Sequence, residues 1–233
     1  MREVFKNELD TISADLIALA NKVLEAIDNA NESLQNNDLE LAEKVIDADS
    51  VIDILVAEID KEAATFLALQ APVAVDLRVV IAALKMSVAM ERMGDLARHI
   101  SSQVRIRHPK PALPAPFEDV FLQFGRSAHR IAVSMVQLLE NPGLGAVPMI
   151  SNIDQELDEL HLRVFTLIAE ADMSVVTPSQ IADVTLLARY YERFGDQAVN
   201  VSQKVEYLLT GSFSPELSAK DEGTAGAQAT KTA

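Results

Sequence analysis

The stretch ERMGDLARHISSQV at residues 91–104 returns as ERFGDQAVNVSQKV at residues 192–205, a constant offset of 101. Seven of the fourteen positions are identical: Glu91/Glu192, Arg92/Arg193, Gly94/Gly195, Asp95/Asp196, Ala97/Ala198, Ser101/Ser202 and Val104/Val205. Self-similarity at that period marks a duplicated, domain-sized unit rather than a short solenoid repeat. Read as helix, each copy places a Glu and an Asp at i,i+4, on one face and one turn apart. Like charges there repel by a few tenths of a kcal/mol, so the spacing calls for positive charge at the same place.

Working outward, apolar residues at steps of three and four predict six helices. The first spans about residues 4–34, with Phe5, Leu9, Ile12, Leu16, Leu19, Val23 and Ile27 on one stripe. Gln35-Asn36-Asn37-Asp38 breaks it, and Asp38 is placed to cap a second helix. That helix carries Leu41, Val45, Ala48, Ile52, Leu55, Ile59 and Phe66, and Ala71-Pro72 ends it, because the residue before Pro avoids the helical region. A third runs over about 73–107. HPKPALPAP at 108–116, with four prolines in nine residues, reads as a stiff extended linker and the internal boundary. The scheme then repeats over about 117–139, 147–171 and 178–209, with Thr177-Pro178 opening the last helix and Thr210-Gly211 closing it. Residues 213–233, low in apolar content, read as a disordered tail. The fold expected is all-α: two tandem, internally duplicated antiparallel three-helix bundles, 1–107 and 117–212.

Composition agrees. The chain has 233 residues, 49% hydrophobic and 24% charged, with no Trp and only 5% aromatics, so Ala, Leu, Val and Ile carry the core. Absence of Cys excludes disulfides, thiolate catalysis and Cys-ligated metal, and suits a reducing cytoplasm. No apolar leader follows the first residues, and no window holds 18 uninterrupted apolar residues, so neither a signal peptide nor membrane insertion is expected. A net charge of −15 argues against nucleic acid as a partner. The basic run Arg98, Arg105, Arg107 and Lys110 reads as a helix C-terminus matched to its dipole.

The duplication extends upstream: Asp49-Ser50-Val51-Ile52-Asp53-Ile54-Leu55 matches Asp154-Gln155-Glu156-Leu157-Asp158-Glu159-Leu160. Each half therefore holds two acidic pairs, Asp49/Asp53 with Glu91/Asp95 and Asp154/Asp158 with Glu192/Asp196. In the third helix the apolar series Leu77, Ile81, Leu84, Val88 continues at the same spacing onto Glu91 and Asp95, which puts these acids on the core-facing stripe. A carboxylate there is paired, protonated or metal-bound, since burying it alone costs several kcal/mol. Arg92 and Arg193 point about a quarter-turn away from their Glu and do not serve as partners. Hard oxygen ligands on facing helices suit Fe, Mn, Zn or Mg, and His99 and Asn200 extend the ligand face. Gly94 and Gly195 permit close approach. The plainer reading is that such pairs are solvated faces, with Arg189 the partner of Glu192. His161 after Asp158 matches the Glu-x-x-His ligand pattern poorly, its counterpart being Val56, and is read with His108 and His129 as solvated or hydrogen-bonded. Tyr190, Tyr191, Met86, Met90 and Met93 read as core packing. No phosphate-binding Gly-rich loop, nucleophile elbow or His-Glu-x-x-His motif is present.

The doubled Glu-Arg-x-Gly-Asp with its upstream Asp-x-x-x-Asp resembles the PhoU family of phosphate-uptake regulators over about residues 1–212. The resemblance implies two tandem three-helix bundles and a non-enzymatic, cytoplasmic, commonly dimeric negative regulator. Such a regulator links the ATP-binding subunit of the Pst phosphate transporter to a sensor histidine kinase. It also implies multinuclear metal sites on Asp49, Asp53, Glu91 and Asp95, then on Asp154, Asp158, Glu192 and Asp196, with His99 departing from the Asn often found there and retained as Asn200. The competing reading is a di-metal carboxylate oxidase or metal-storage bundle.

Overall fold

A computed structural model describes residues 2–212, with side chains from Asn7 onward; the tail expected over 213–233, and Phe5 in the first apolar stripe, lie outside what is described. The elements are α1 (Arg2–Asn36), α2 (Leu39–Gln70), α3 (Val75–Arg107), α4 (Glu118–Glu140), α5 (Ala146–Glu170) and α6 (Pro178–Thr210), with a 3-10 turn at Ala115–Phe117 before α4. Among the described residues there is no strand.

Local chemistry sets the helix ends. Asp38 accepts a hydrogen bond from the Leu41 backbone N–H at 3.0 Å and starts α2. Thr177 and Gln180 form a reciprocal capping box, with Pro178 at the first helical position of α6. Gly211, at φ +77°, closes α6 in the left-handed conformation that glycine adopts without strain. Arg78 lies against the Gly211 backbone, and its guanidinium sits 5.2 Å over the Tyr207 ring. The α2–α3 turn runs through Ala71 and Ala74, both at positive φ, so α3 begins at Val75, two residues later than the sequence suggested.

Each three-helix unit packs on the other through equivalent helices. His99 meets Tyr190, Gln103 meets Asp183, Arg107 meets Ser179 and Arg78 meets Tyr207, so α3 and α6 run antiparallel. Asp28 with His129 and Asn31 with Gly125 make α1 and α4 antiparallel too. The result is one apolar core from Ile12 to Val205 that both units share. The proline-rich segment contributes to it: Ala112 and Leu113 are buried, and Phe117 is fully enclosed. Prolines fix that segment's course, but its apolar side chains still leave water.

The core of α3 differs from the expected stripe. Leu77, Ile81 and Val88 are each about 40% exposed, at 39%, 41% and 42%. The buried residues are instead Val80, Ala82, Ala83, Met86, Ser87, Ala89, Met90, Met93, Gly94, Leu96, Ala97, Ile100, Ser101, Gln103 and Val104. A helix touched by α1, α2 and α6 buries a broad surface. Close packing on several sides selects small and flexible residues rather than large aliphatics. The methionines at 86, 90 and 93 and Tyr191 are core, as expected, and the Tyr191 ring stacks on Phe124 with centroids 5.2 Å apart. On α2 the expected stripe holds except at Ala48, which is exposed.

Candidate carboxylate sites

The repeated motif sits midway along the α3–α6 pair, and its glycine is where the acid-bearing helix comes closest. A Cβ on Gly94 would lie 2.7 Å from Ile52 Cδ1 and 3.6 Å from Asp49 Oδ1. On Gly195 it would lie 2.6 Å from Asp154 Oδ1 and 2.8 Å from Leu157 Cδ1. In the second half, then, the first Asp of the upstream motif is pressed over the glycine of Glu-Arg-x-Gly-Asp, whereas in the first half Ile52 makes the tight contact and Asp49 lies at ordinary van der Waals distance. This is the close approach the sequence suggested, made by a carboxylate in one repeat and by an isoleucine in the other.

In the first half the expected absence of a cation is overturned. Arg98 Nε lies 2.6 Å from Asp49 Oδ2, and Arg98 Nη2 lies 2.5 Å from Asp95 Oδ1, so one guanidinium ties α2 to α3. The dipole reading of the basic run applies to Arg105 and Arg107 at the end of α3, whereas Arg98 pairs with acids a few turns earlier. Glu91 and Asp95 are half-buried at the edge of the interface and not on its central seam, and Asp53 is exposed. Burial pushes the Asp49 carboxyl above its ordinary range, with Asp95 and Asp53 adding and Arg98 opposing. Burial raises Glu91 as well, followed by repulsion from Asp53 and Asp95. His99 is held below its usual range by burial and then by Arg98, whose Nη2 is 3.4 Å from Nε2 of the ring.

The second half is built differently. Asp154 is buried at 5% exposure, Asp158 and Glu192 are half-buried, and Asp196 and Asn200 face solvent. Arg189 Nη1 bonds Glu192 Oε1, so the plainer reading of that Glu is correct as far as it goes. Burial still pushes Glu192 up, with Asp196 adding, Arg189 opposing and Asp158 adding again. Asn200 Nδ2 approaches Gln197 Oε1 at 3.5 Å and is turned along its own helix. The cations have exchanged places between repeats: the counterpart of Arg98 at the 101-residue offset is Val199, and that of Arg189 is Val88. The cation that bonds an acid of the motif is thus Arg98 on the first face and Arg189 on the second.

No three His, Asp or Glu side chains converge on one point among the described residues. The donor chemistry nevertheless suits a hard cation: carboxylates from two helices, with Asp49, Glu91 and Glu192 raised by burial and by neighbouring acids. Arg98 occupies the space between Asp49 and Asp95, so a cation bound by both would take its place. His129 Nδ1 pairs with Asp28 at 2.8 Å and keeps the hydrogen-bonded role the sequence gave it, whereas His161 packs edge-on against Phe165 with its Nδ1 buried and without a hydrogen bond.

A model of the PhoU domain matches residues 16–104 and 121–205, and both matches end on the last valine of the repeated motif. The chain belongs to the PhoU family. It is 35% identical over 213 residues to the phosphate-specific transport system accessory protein PhoU homolog 2 of Mycobacterium tuberculosis, covering 91% of this chain and all of that one. A homolog of the same description in Synechocystis is 30% identical, covering 90% of this chain and 93% of the relative. The fold matches crystal structures of PhoU from Streptococcus pneumoniae (TM-score 0.79, 23% identity, 90% of this chain and 99% of that one) and Pseudomonas aeruginosa (TM-score 0.78, 24% identity, 89% and 100%). The two PhoU units are therefore the duplicated halves read from the sequence. Among the described residues no helix is long and apolar enough to cross a membrane.

Residues the sequence did not single out hold the two units together. Asp183, 3% exposed, accepts from Gln103 Nε2 at 2.6 Å and Arg107 Nη2 at 2.7 Å, with Arg107 Nε 2.6 Å from its other oxygen. Tyr191 Oη donates to Asn31 Oδ1 at 2.7 Å, and Asn31 Nδ2 donates to the Gly125 carbonyl at 3.2 Å, joining α6, α1 and α4. Burial pushes the Tyr191 hydroxyl far above its ordinary value, so it remains a donor at all physiological pH. Asp183 and Asn31 lie outside the repeated motif and the apolar stripes, and the polar roles of Gln103, Arg107 and Tyr191 follow from the packing of the two units rather than from the repeat.

Proposed function

We propose that this protein is a non-enzymatic negative regulator of phosphate uptake, an adaptor between the ATP-binding subunit of a Pst phosphate transporter and a phosphate-sensing histidine kinase. Family membership supports the link to phosphate transport. The observation that carries the adaptor reading is the pair of acidic faces with unlike surroundings. The first is flanked by exposed Val51, Ile54 and Val88, at 42%, 57% and 42%. At the equivalent positions the second has Glu156, Glu159 and Arg189. Exposed aliphatics beside charge are what a docking surface presents. One face therefore suits a partner with an apolar contact and the other a charge-matched partner. Binding one kinase conformation more tightly than another shifts its population toward the restrained state. The protein works in the cytoplasm as a homodimer at the membrane's inner side, reached through its partners.

Asp49, Asp53, Glu91 and Asp95 with His99, and Asp154, Asp158, Glu192 and Asp196 with Asn200, are the residues that would hold metal. Bound Fe, Mn, Zn or Mg would supply fixed positive charge that rigidifies each face. The protein's own part is to hold two acid-bearing helices at glycine contact and to keep their carboxylates partly out of water.

Deletion of the gene tests the regulatory role. Phosphate-starvation genes are expected to be expressed in phosphate-rich medium, and unchanged repression contradicts it. Elemental analysis with an oxygen-consumption assay tests the metal reading: inert bound metal is expected, whereas iron turning over with oxygen indicates an oxidase.

A further inference from the structure

The two acidic faces differ in what the nearest guanidinium joins. In the first half Arg98, on α3, reaches across to α2: its Nε lies 2.6 Å from Asp49 Oδ2, while its Nη2 donates to Asp95 Oδ1 at 2.5 Å. One side chain thus spans the upstream Asp and the Asp of Glu-Arg-x-Gly-Asp, the two acids that a cation shared by both helices would span. In the second half the residue at the equivalent position is Val199, buried and without charge. The cation there, Arg189, bonds Glu192 three residues along its own helix and does not cross to α5. It also takes only one oxygen. The other, Glu192 Oε2, is buried without a hydrogen bond, on a side chain 14% exposed. Asp158 on α5 is close enough to repel it. A carboxylate oxygen kept from water with no donor is costly until a cation meets it.

We propose that Arg98 stands in for a metal ion at the first face, so that the chain takes up metal at the second face first, and at the first only where Arg98 gives up its carboxylates. The inference rests on the metal reading above and adds an order of filling to it. A guanidinium and a divalent cation compete for the same carboxylate lone pairs. Arg98 is tethered one turn beyond Asp95 and is present at the site at every metal concentration, so uptake there must overcome it. The second face has no guanidinium bridging its two acid-bearing helices in this way, and Glu192 Oε2 is left for a cation to meet. The first face is accordingly joined across α2 and α3 with or without metal. Duplication supplied two like sets of acids, and the exchange of Val for Arg at one position makes them unequal.

Isothermal titration calorimetry of the full chain, freed of metal with EDTA and titrated with Mn²⁺, tests it, with unbound Mn²⁺ counted by electron paramagnetic resonance. The wild type is expected to bind in two classes, one tighter and one weaker. Asp158→Asn with Glu192→Gln should remove the tighter class, and Asp53→Asn with Glu91→Gln the weaker. Arg98→Val, which copies the second repeat, should tighten the weaker class by roughly 10- to 100-fold, the worth of one charged hydrogen bond, and leave the tighter one unchanged. Arg98→Lys keeps the charge without the fork and should fall between. Circular dichroism checks each fold, and the lysine variant carries the comparison if the valine variant does not fold. Two classes of equal affinity overturn the proposal and leave the metal reading standing. So does a weaker class untouched by either substitution at Arg98, or a tighter class lost with Asp53 and Glu91. No Mn²⁺ bound by the wild type or by the Arg98 variants overturns both.

Discussion

Arg98 decides how the first acidic face behaves. Its guanidinium binds carboxylates on two helices, and without it Asp49 is left partly buried beside Asp95 and Asp53. Arg98→Ala is expected to cost about 1–2 kcal/mol, the range for losing charged hydrogen bonds at a partly buried site. It should also leave more room for a cation, so added Mn²⁺ should raise the variant's melting temperature more than the wild type's. The glycines behave unequally. Gly94→Ala meets Ile52 at Cδ1 (2.7 Å), a flexible tip, and at Cγ2 (3.2 Å), and the better helix propensity of Ala offsets part of the contact, so a smaller loss than at Gly195 is expected. Gly195→Ala meets the buried Asp154 carboxylate and Leu157 together, and is expected to lose about 1–3 kcal/mol by overpacking in urea unfolding.

At the same scale, Glu62 gives the protein a pH dependence. Burial pushes its carboxyl above 4.5, and the neighbouring Asp15 carboxyl, then Glu58, push it further, with Lys61 opposing. Glu8, Glu58 and Glu62 line a cleft between α1 and α2. A carboxyl raised on folding binds its proton more tightly folded than unfolded. Its stabilisation is fully present below 4.5 and is lost as pH rises through the folded value. Glu62→Gln should therefore flatten the fall in melting temperature that sets in above pH 4.5 and ends once the folded carboxyl has ionised. An unchanged pH profile would show that Glu62 does not titrate there.

Among the elements, α3 and α6 carry both the motif and the junction between units. The clamp at Asp183 joins the C-terminal turns of α3 to the first turns of α6, and Asp183→Ala strands Arg107 and Gln103. A loss of about 3 kcal/mol is expected, as when one member of a buried pair is removed. Chemical denaturation should show whether the units then unfold separately. Helix positions were legible in the sequence because caps and breakers act locally: Asp38, Thr177-Pro178 and Gly211 each sit where their chemistry requires. The face of α3 was not. Leu77, Ile81 and Val88 have helical spacing but lie outward, since a helix packed on three neighbours buries its alanines, methionines and glycine. The acids were found because they are repeated. Arg98 was missed because its counterpart is Val199, and a signal carried by duplication is blind to what the copies do not share.

At the scale of the whole molecule, duplication followed by antiparallel packing gives one core and two acidic faces that differ in their cations and surroundings. Such a body can engage two partners at once, which a single three-helix unit cannot. On the proposed reading its working surface is the carboxylates. The most direct measurement places Glu91→Gln, Asp95→Asn, Glu192→Gln and Asp196→Asn together in the chromosomal gene and follows a phosphate-starvation reporter in phosphate-rich medium, with protein level and fold verified. Expression as high as in the deletion strain is the expected result. Repression equal to wild type would contradict a regulatory role for these faces.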